Sequence, residues 1–130
     1  MELLEKALEN EQNECILQLS KSKIKADKES IFKKYSISSS IQDKLENYRV
    51  VSDIENIQHG YYIRWISKTN PDTLKHGGIV CTIDYEEDRT QVRNNCNRFF
   101  TCNLKNNIIF QKITEQEGLL LEITALFEDK

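Results

Sequence analysis

At Tyr48 the chain changes period, and that change constrains the fold more than any other feature of the sequence. Tyr48 to Ser52, Tyr61 to Lys68 and Thr90 to Arg93 each read as a short strand, as does Ile108 to Lys112. β-Branched and aromatic residues dominate these runs, and such side chains suit a pleated, half-buried surface. Between them Ile79, Cys81, Ile83 and Tyr85 alternate with Val80, Thr82 and Asp84, and Phe100, Cys102 and Leu104 alternate again. Alternation of this kind gives a strand one apolar face. Asn70-Pro71-Asp72, Glu86-Glu87-Asp88 and Lys105-Asn106-Asn107 supply the turns. Short strands at intervals of about ten residues, without helices between them, predict a small antiparallel β-barrel or curled meander of SH3-like type.

The flanks read differently. Residues 2 to about 35 contain no Gly or Pro and are dense in Glu, Lys, Gln and Leu, which predicts one long helix. Leu4 and Leu8 share a face, and Leu17, Ile24 and Ile31 recur every seven residues. Asn10, Glu14, Lys21 and Lys28 interrupt the seam that a coiled coil requires, so the helix is expected to lie on a partner or on its own barrel. Ser36-Ile-Ser-Ser-Ser40 breaks it, with Ser39 or Ser40 as cap for a short second helix through Leu45. At the far end Thr114-Glu-Gln-Glu117 is a capping box. Leu119, Leu120, Ile123, Leu126 and Phe127 follow it on one broad face, which predicts a C-terminal helix docked on the sheet. The expected architecture is therefore α+β, with a helical arm over 1–47 and a barrel plus helix over 48–130.

Composition narrows the function classes. No run approaches the roughly 20 apolar residues of a membrane span, and the acidic N-terminus lacks the basic and apolar regions of a signal peptide. An intracellular, cytoplasmic setting is expected, and in it Cys15, Cys81, Cys96 and Cys102 are free thiols. A zinc site from three of these and His76 matches no finger or ribbon spacing, and no metal or cofactor is expected. The net charge is -1 over residues 1–47, +2 over 48–112 and -4 over 113–130, so nucleic-acid binding is permitted by the middle of the chain but not favoured.

Catalytic motifs are missing. Gly77-Gly78 opens a strand rather than a helix, which makes it a bend at a sheet rim and not a phosphate cradle. His59 and His76 sit beside glycines in turns, far from the pairing that nucleophilic catalysis needs. The chain is thus expected not to be an enzyme. The richest surface is Tyr61-Tyr62-Ile63-Arg64-Trp65. Alternation places Tyr61, Ile63 and Trp65 on one face and Tyr62, Arg64 and Ile66 on the other, so the strand is expected to be covered twice, by the core and by a helix or a partner. Trp, Tyr and Arg dominate interface hot spots, which makes Tyr62, Arg64 and Trp65 the expected contact with another protein, on one interaction surface with Lys68 and Arg93. Two alternatives stand beside it. Trp65 is core and Arg64 pairs internally with an acid such as Glu122, or the aromatics with Arg64, Lys68 and Arg93 hold a single-stranded nucleic acid.

The strand Gly60 to Ile66, the Gly77-Gly78 turn and Phe110-Gln111-Lys112 together resemble small virion-associated proteins of large AT-rich DNA viruses, across about half the chain. The frequency of Lys, Asn and Ile, 13, 11 and 15 residues, points to an AT-rich source as well. That resemblance implies a structural or packaging-related role in a viral particle, by association with other proteins or by self-assembly.

Overall fold

A computed structural model describes residues 20–128. Ser20 starts helix α1, Lys21–Lys34. Its backbone is extended and its hydroxyl accepts the Lys23 N–H at 3.1 Å, which satisfies one of the orphan donors of the first turn. The helix expected from residue 2 therefore has a start at Lys21, and Leu4, Leu8 and Leu17 lie outside the described residues. Helix α2, Ser39–Lys44, is capped by Ser38 rather than by Ser39 or Ser40.

Six strands follow: β1 Tyr48–Val51, β2 Tyr62–Ser67, β3 Gly78–Asp84, β4 Arg89–Arg93, β5 Phe99–Asn103 and β6 Asn107–Lys112. They form one antiparallel sheet in the order β1-β6-β2-β3-β4-β5. Helix α3, Glu115–Glu128, completes an α+β fold. The sheet is open, because β1 and β5 are its edges and do not pair with each other.

The sheet nevertheless curls upon itself. Val51, Ile63, Trp65 and Ile109 from one half form a single cluster with Val80, Val92 and Cys102 from the other. Ile54 and Ile57 seal it from the loop after β1. On the opposite face of β1-β6-β2, Tyr48, Ile66, Ile108 and Phe110 meet Ile37, Ile41 and Leu45, with Ile31 and Phe32 of α1 beside them. The Phe32 and Phe110 rings stack with centroids 6.2 Å apart. Leu45 and Phe110 are fully buried there, and such a side chain stabilises by roughly 1.5–3 kcal/mol relative to exposure. Both faces of β2 are thus covered, the second by the chain's own helices. That cluster crosses the boundary drawn between 47 and 48, so residues 20–47 and the sheet share one core.

Helix α3 docks through Leu120 and Leu121 against Ile24. Of the face expected for it, Leu120 is buried as expected, and the Phe127 side chain lies outside the described residues. Leu119 and Ile123 are half-buried and Leu126 is 69% exposed, because the contacts of α3 with Ile24, Ile113 and Arg49 run through Glu117, Leu120 and Leu121 in its first two turns.

Two local features shape the sheet. Gly77 has φ +69°, and a Cβ there would sit 1.8 Å from the Ile63 carbonyl oxygen. One on Gly78 would sit 2.4 Å from that of Arg93. β2 and β3 pair through Tyr62–Ile79 and Ile63–Gly78, and Val80 bonds on to Tyr61 and Gly60, so the glycines mark the corner beyond Ile63 where the strands diverge. The pairing of β3 with β4 also slips between Val80 and Thr82, a bulge at Cys81. The strict alternation expected from Ile79 to Tyr85 fails there. Val80 and Ile83 face the core, while Ile79 and Tyr85 are exposed.

Candidate interaction surface

β2 places its outward side chains against the segment that leads back to β3. The Tyr62 hydroxyl donates to the His76 carbonyl at 2.7 Å, and Arg64 Nε donates to the Lys75 carbonyl at 3.0 Å. The Lys75 N–H in turn donates to the Trp65 carbonyl at 2.9 Å, and Leu74 bridges to Ile66. Tyr62 and Arg64 are half-buried and clamp this segment to the sheet. Arg64 makes no pair with Glu122, whose partner is Lys21. Trp65 is 8% exposed and packs within the inner core. Lys68 is exposed at the end of β2 and Arg93 is exposed on β4. The five residues expected to form one surface therefore divide into core, clamp and open surface.

The open surface lies on the other half of the sheet. Across the outer face of β3-β4-β5, Ile79 stands opposite Arg93, and Arg93 opposite Phe99. The next row is Thr82, Gln91 and Thr101, and the last is Asp84, Arg89 and Asn103. Ile79 is 41% and Phe99 57% exposed, and no helix among the described residues covers them. Arg89 is held by Asp84 at 3.4 Å, whereas Arg93 and Arg98 join no ion pair among the described residues. Sequence reasoning passed over Ile79 and Phe99. The signal was the doublet Phe99-Phe100, since neighbours on a strand face opposite ways and one of two aromatics must leave the core.

The thiols occupy separate environments. Cys102 is buried, and burial pushes its thiol up to about 12. Cys81 is half-buried at the bulge and Cys96 is exposed. No three His, Cys, Asp or Glu side chains gather as a metal site among the described residues. His59 and His76 are exposed.

Two further polar features stand apart from the open face. A cleft of about 770 Å³ between α1 and α3 is lined by Lys25, Lys28 and Lys112 against Glu46, Glu115 and Glu122, over an apolar floor of Ile24 and Leu121. Lys28 Nζ donates to the carbonyls of Leu45 and Glu46, and its burial lowers its pKa against the opposing pull of Glu46. Beneath α3, Arg49 and Glu117 are both buried, and Arg49 Nε and Nη2 and Glu117 Oε2 have no hydrogen-bond partner among the described residues. Gln111 and Gln58 bond each other close by, at 3.1 Å.

No known protein family, curated protein or solved structure matches this chain. No described helix is long and apolar enough to cross a membrane.

Proposed function

We propose that this protein is a non-enzymatic binding module, a structural or adaptor component that docks another protein on the outer face of β3-β4-β5. The observation that carries the reading is the row Ile79, Arg93, Phe99: two exposed apolar side chains flank an arginine with no ionic partner. Apolar contact with an unpaired guanidinium at its centre suits a partner that brings apolar groups and a carboxylate. The strand run β2-β3-β4-β5, with β6 returning beside β2, supports reading the curled sheet as an SH3-like barrel left open at β5. An intracellular setting, with a viral particle as one form of it, belongs to the same reading and agrees with the free thiols of the described cysteines.

The test is native co-purification with mass spectrometry, comparing the natural chain with Arg93→Ala and Phe99→Ala. A protein partner that is retained by the natural chain and lost from both variants, at unchanged far-UV circular dichroism, supports the siting. Equal retention by all three removes it.

Single-stranded nucleic acid is the second reading, favoured by Phe99 beside Arg93 and Arg98. It requires binding that falls steeply with salt, as counterions are released from phosphates. Flat anisotropy of a labelled oligothymidine at low salt eliminates it.

A further inference from the structure

The two edges of the sheet are treated differently. On β1 every residue is buried or half-buried, and Arg49, Tyr48 and Val51 are all inside. On β5, Phe99, Phe100 and Thr101 are exposed, and no strand among the described residues pairs with its free side. Proteins ordinarily guard such an edge with charge, proline or a bulge. β5 carries none of these, and it pairs with β4 through five consecutive residues without a slip.

The hydrogen-bond parity of that edge follows from its two ends. The Asn94 N–H donates to the Arg98 carbonyl, and the Leu104 N–H donates to the Asp88 carbonyl. In an antiparallel pair, bonded and non-bonded positions alternate. The pairs 94/98, 92/100, 90/102 and 88/104 are therefore the bonded ones. The backbone N–H and C=O of Phe99, Thr101 and Asn103 point away from β4 toward the open side. Asn107 Nδ2 already reaches the Asn103 carbonyl, which leaves the groups of Phe99 and Thr101 fully available.

Charge is distributed along the edge with a sense. Arg93 and Arg98 stand at its Phe99 end. At the other end the Leu104 N–H meets Asp88 of the β3–β4 hairpin, which also carries Glu86 and Glu87; the cations there are Lys105 and Arg89, and Arg89 is already held by Asp84, so this end is net acidic. An antiparallel partner with the same polarity would set each basic end against an acidic one. A parallel partner would set like against like.

We propose that β5 pairs antiparallel with the β5 of a second copy of this chain, about a two-fold axis at Thr101. Outward residues then face outward residues: Phe99 meets the partner's Asn103, Thr101 meets the partner's Thr101, and the two sheets run on as one. Phe100, on the inner face and 45% exposed, gains cover from the partner's Cys102 position. The same union doubles the outer face that carries Ile79, Arg93 and Phe99. Strand addition requires a polypeptide backbone, so a nucleic acid cannot satisfy this edge. Phe99 and Phe100 also point to opposite faces and form no joint stacking platform.

Sedimentation equilibrium on the full chain tests the proposal. The natural chain is expected to show a reversible dimer of twice 15.3 kDa at micromolar to submillimolar concentration, weakening as salt screens the end-to-end charge pairing. Thr101→Pro removes only an outward-facing N–H, so β4–β5 pairing persists while dimer dissociation shifts by roughly tenfold or more. Should that variant lose its far-UV spectrum, Arg98→Glu decides, since its exposed side chain joins no ion pair among the described residues and its reversal weakens the dimer at low salt. A monomeric mass across the range overturns the proposal. So does a dimer indifferent to both substitutions, or a monomer whose edge instead takes up an oligonucleotide.

Discussion

Glu117 holds the start of α3 from inside the protein. Its Oε1 accepts the Thr114 N–H at 2.9 Å, and its own N–H donates to Thr114 Oγ1 at 3.1 Å. The T-x-x-E spacing made this reciprocal cap legible. The residue's full burial was not legible, because a first-turn glutamate ordinarily faces water; here β1 carries Arg49 and α3 lies over it. Burial raises the Glu117 pKa, and the Thr114 bonds and the through-space pull of Arg49 offset only part of that. A folded-state pKa above the unfolded value contributes stability that is complete below the unfolded value and lost as pH rises through the folded one. Glu117→Gln keeps an acceptor for the cap and removes the buried charge. It is therefore expected to raise the melting temperature at pH 7 and to flatten the stability–pH profile above the ordinary carboxylate range. Glu117→Ala leaves the Thr114 N–H unsatisfied and costs roughly 1–3 kcal/mol. Thermal denaturation across pH separates the two outcomes, and a natural chain that gains stability on passing from pH 5 to neutrality on account of this residue contradicts the sign.

Among the elements, the corner between β2 and β3 has the narrowest tolerance. At Gly60, φ is +81° but no atom lies within 4 Å of an added Cβ; at Gly77 the Ile63 carbonyl oxygen lies at 1.8 Å. Gly60→Ala therefore costs only backbone strain, about 1–2 kcal/mol. Gly77→Ala adds a collision between main chains that cannot be relieved by a rotamer change, and is expected to cost roughly 4 kcal/mol or more. Urea midpoints for the two variants measure the difference, and equal shifts would show that the corner is pliable. The sequence read the strands correctly because each has β-branched or aromatic density of its own. It read faces less well. One bulged residue at Cys81 reverses the meaning of every alternating position after it. α3 docks through Leu120 and Leu121 on Ile24 of α1, and its own pattern placed only the first of these on the docking face. Likewise the aromatic richness of β2 pointed to a partner while the helices and the 68–77 segment were already its cover.

For the molecule as a whole, the decisive fact is that helices and sheet share hydrophobic clusters. Leu45 is fully buried against Ile66, Ile108 and Phe110, on the face of the sheet opposite Cys102. If the fold opens as one cooperative unit, Leu45→Ala costs about 2–5 kcal/mol and speeds labelling of the Cys102 thiol to a matching degree. Exposed Cys96 should react at the same rate in both proteins. A Cys102 rate that Leu45→Ala leaves unchanged would instead describe an N-terminal arm that opens alone, and would restore the boundary at 47/48. That boundary was drawn where periodicity changes, but periodicity marks a change of element and carries no information about which elements pack together.

The sheet order also dictates a sequence of events during synthesis. β6 lies between β1 and β2, yet it is the last strand to be made. β2 to β5 form hairpins with near neighbours and can assemble early, while β1 waits with no pairing partner until Lys112 is available. The pairing of Tyr48 with Lys112 closes a loop of half the chain, the kind of distant contact that slows folding. Until it forms, the nascent protein exposes strand edges on both sides of a gap that a single late strand must fill, and the ribosome-bound chain is at its most adhesive in that interval.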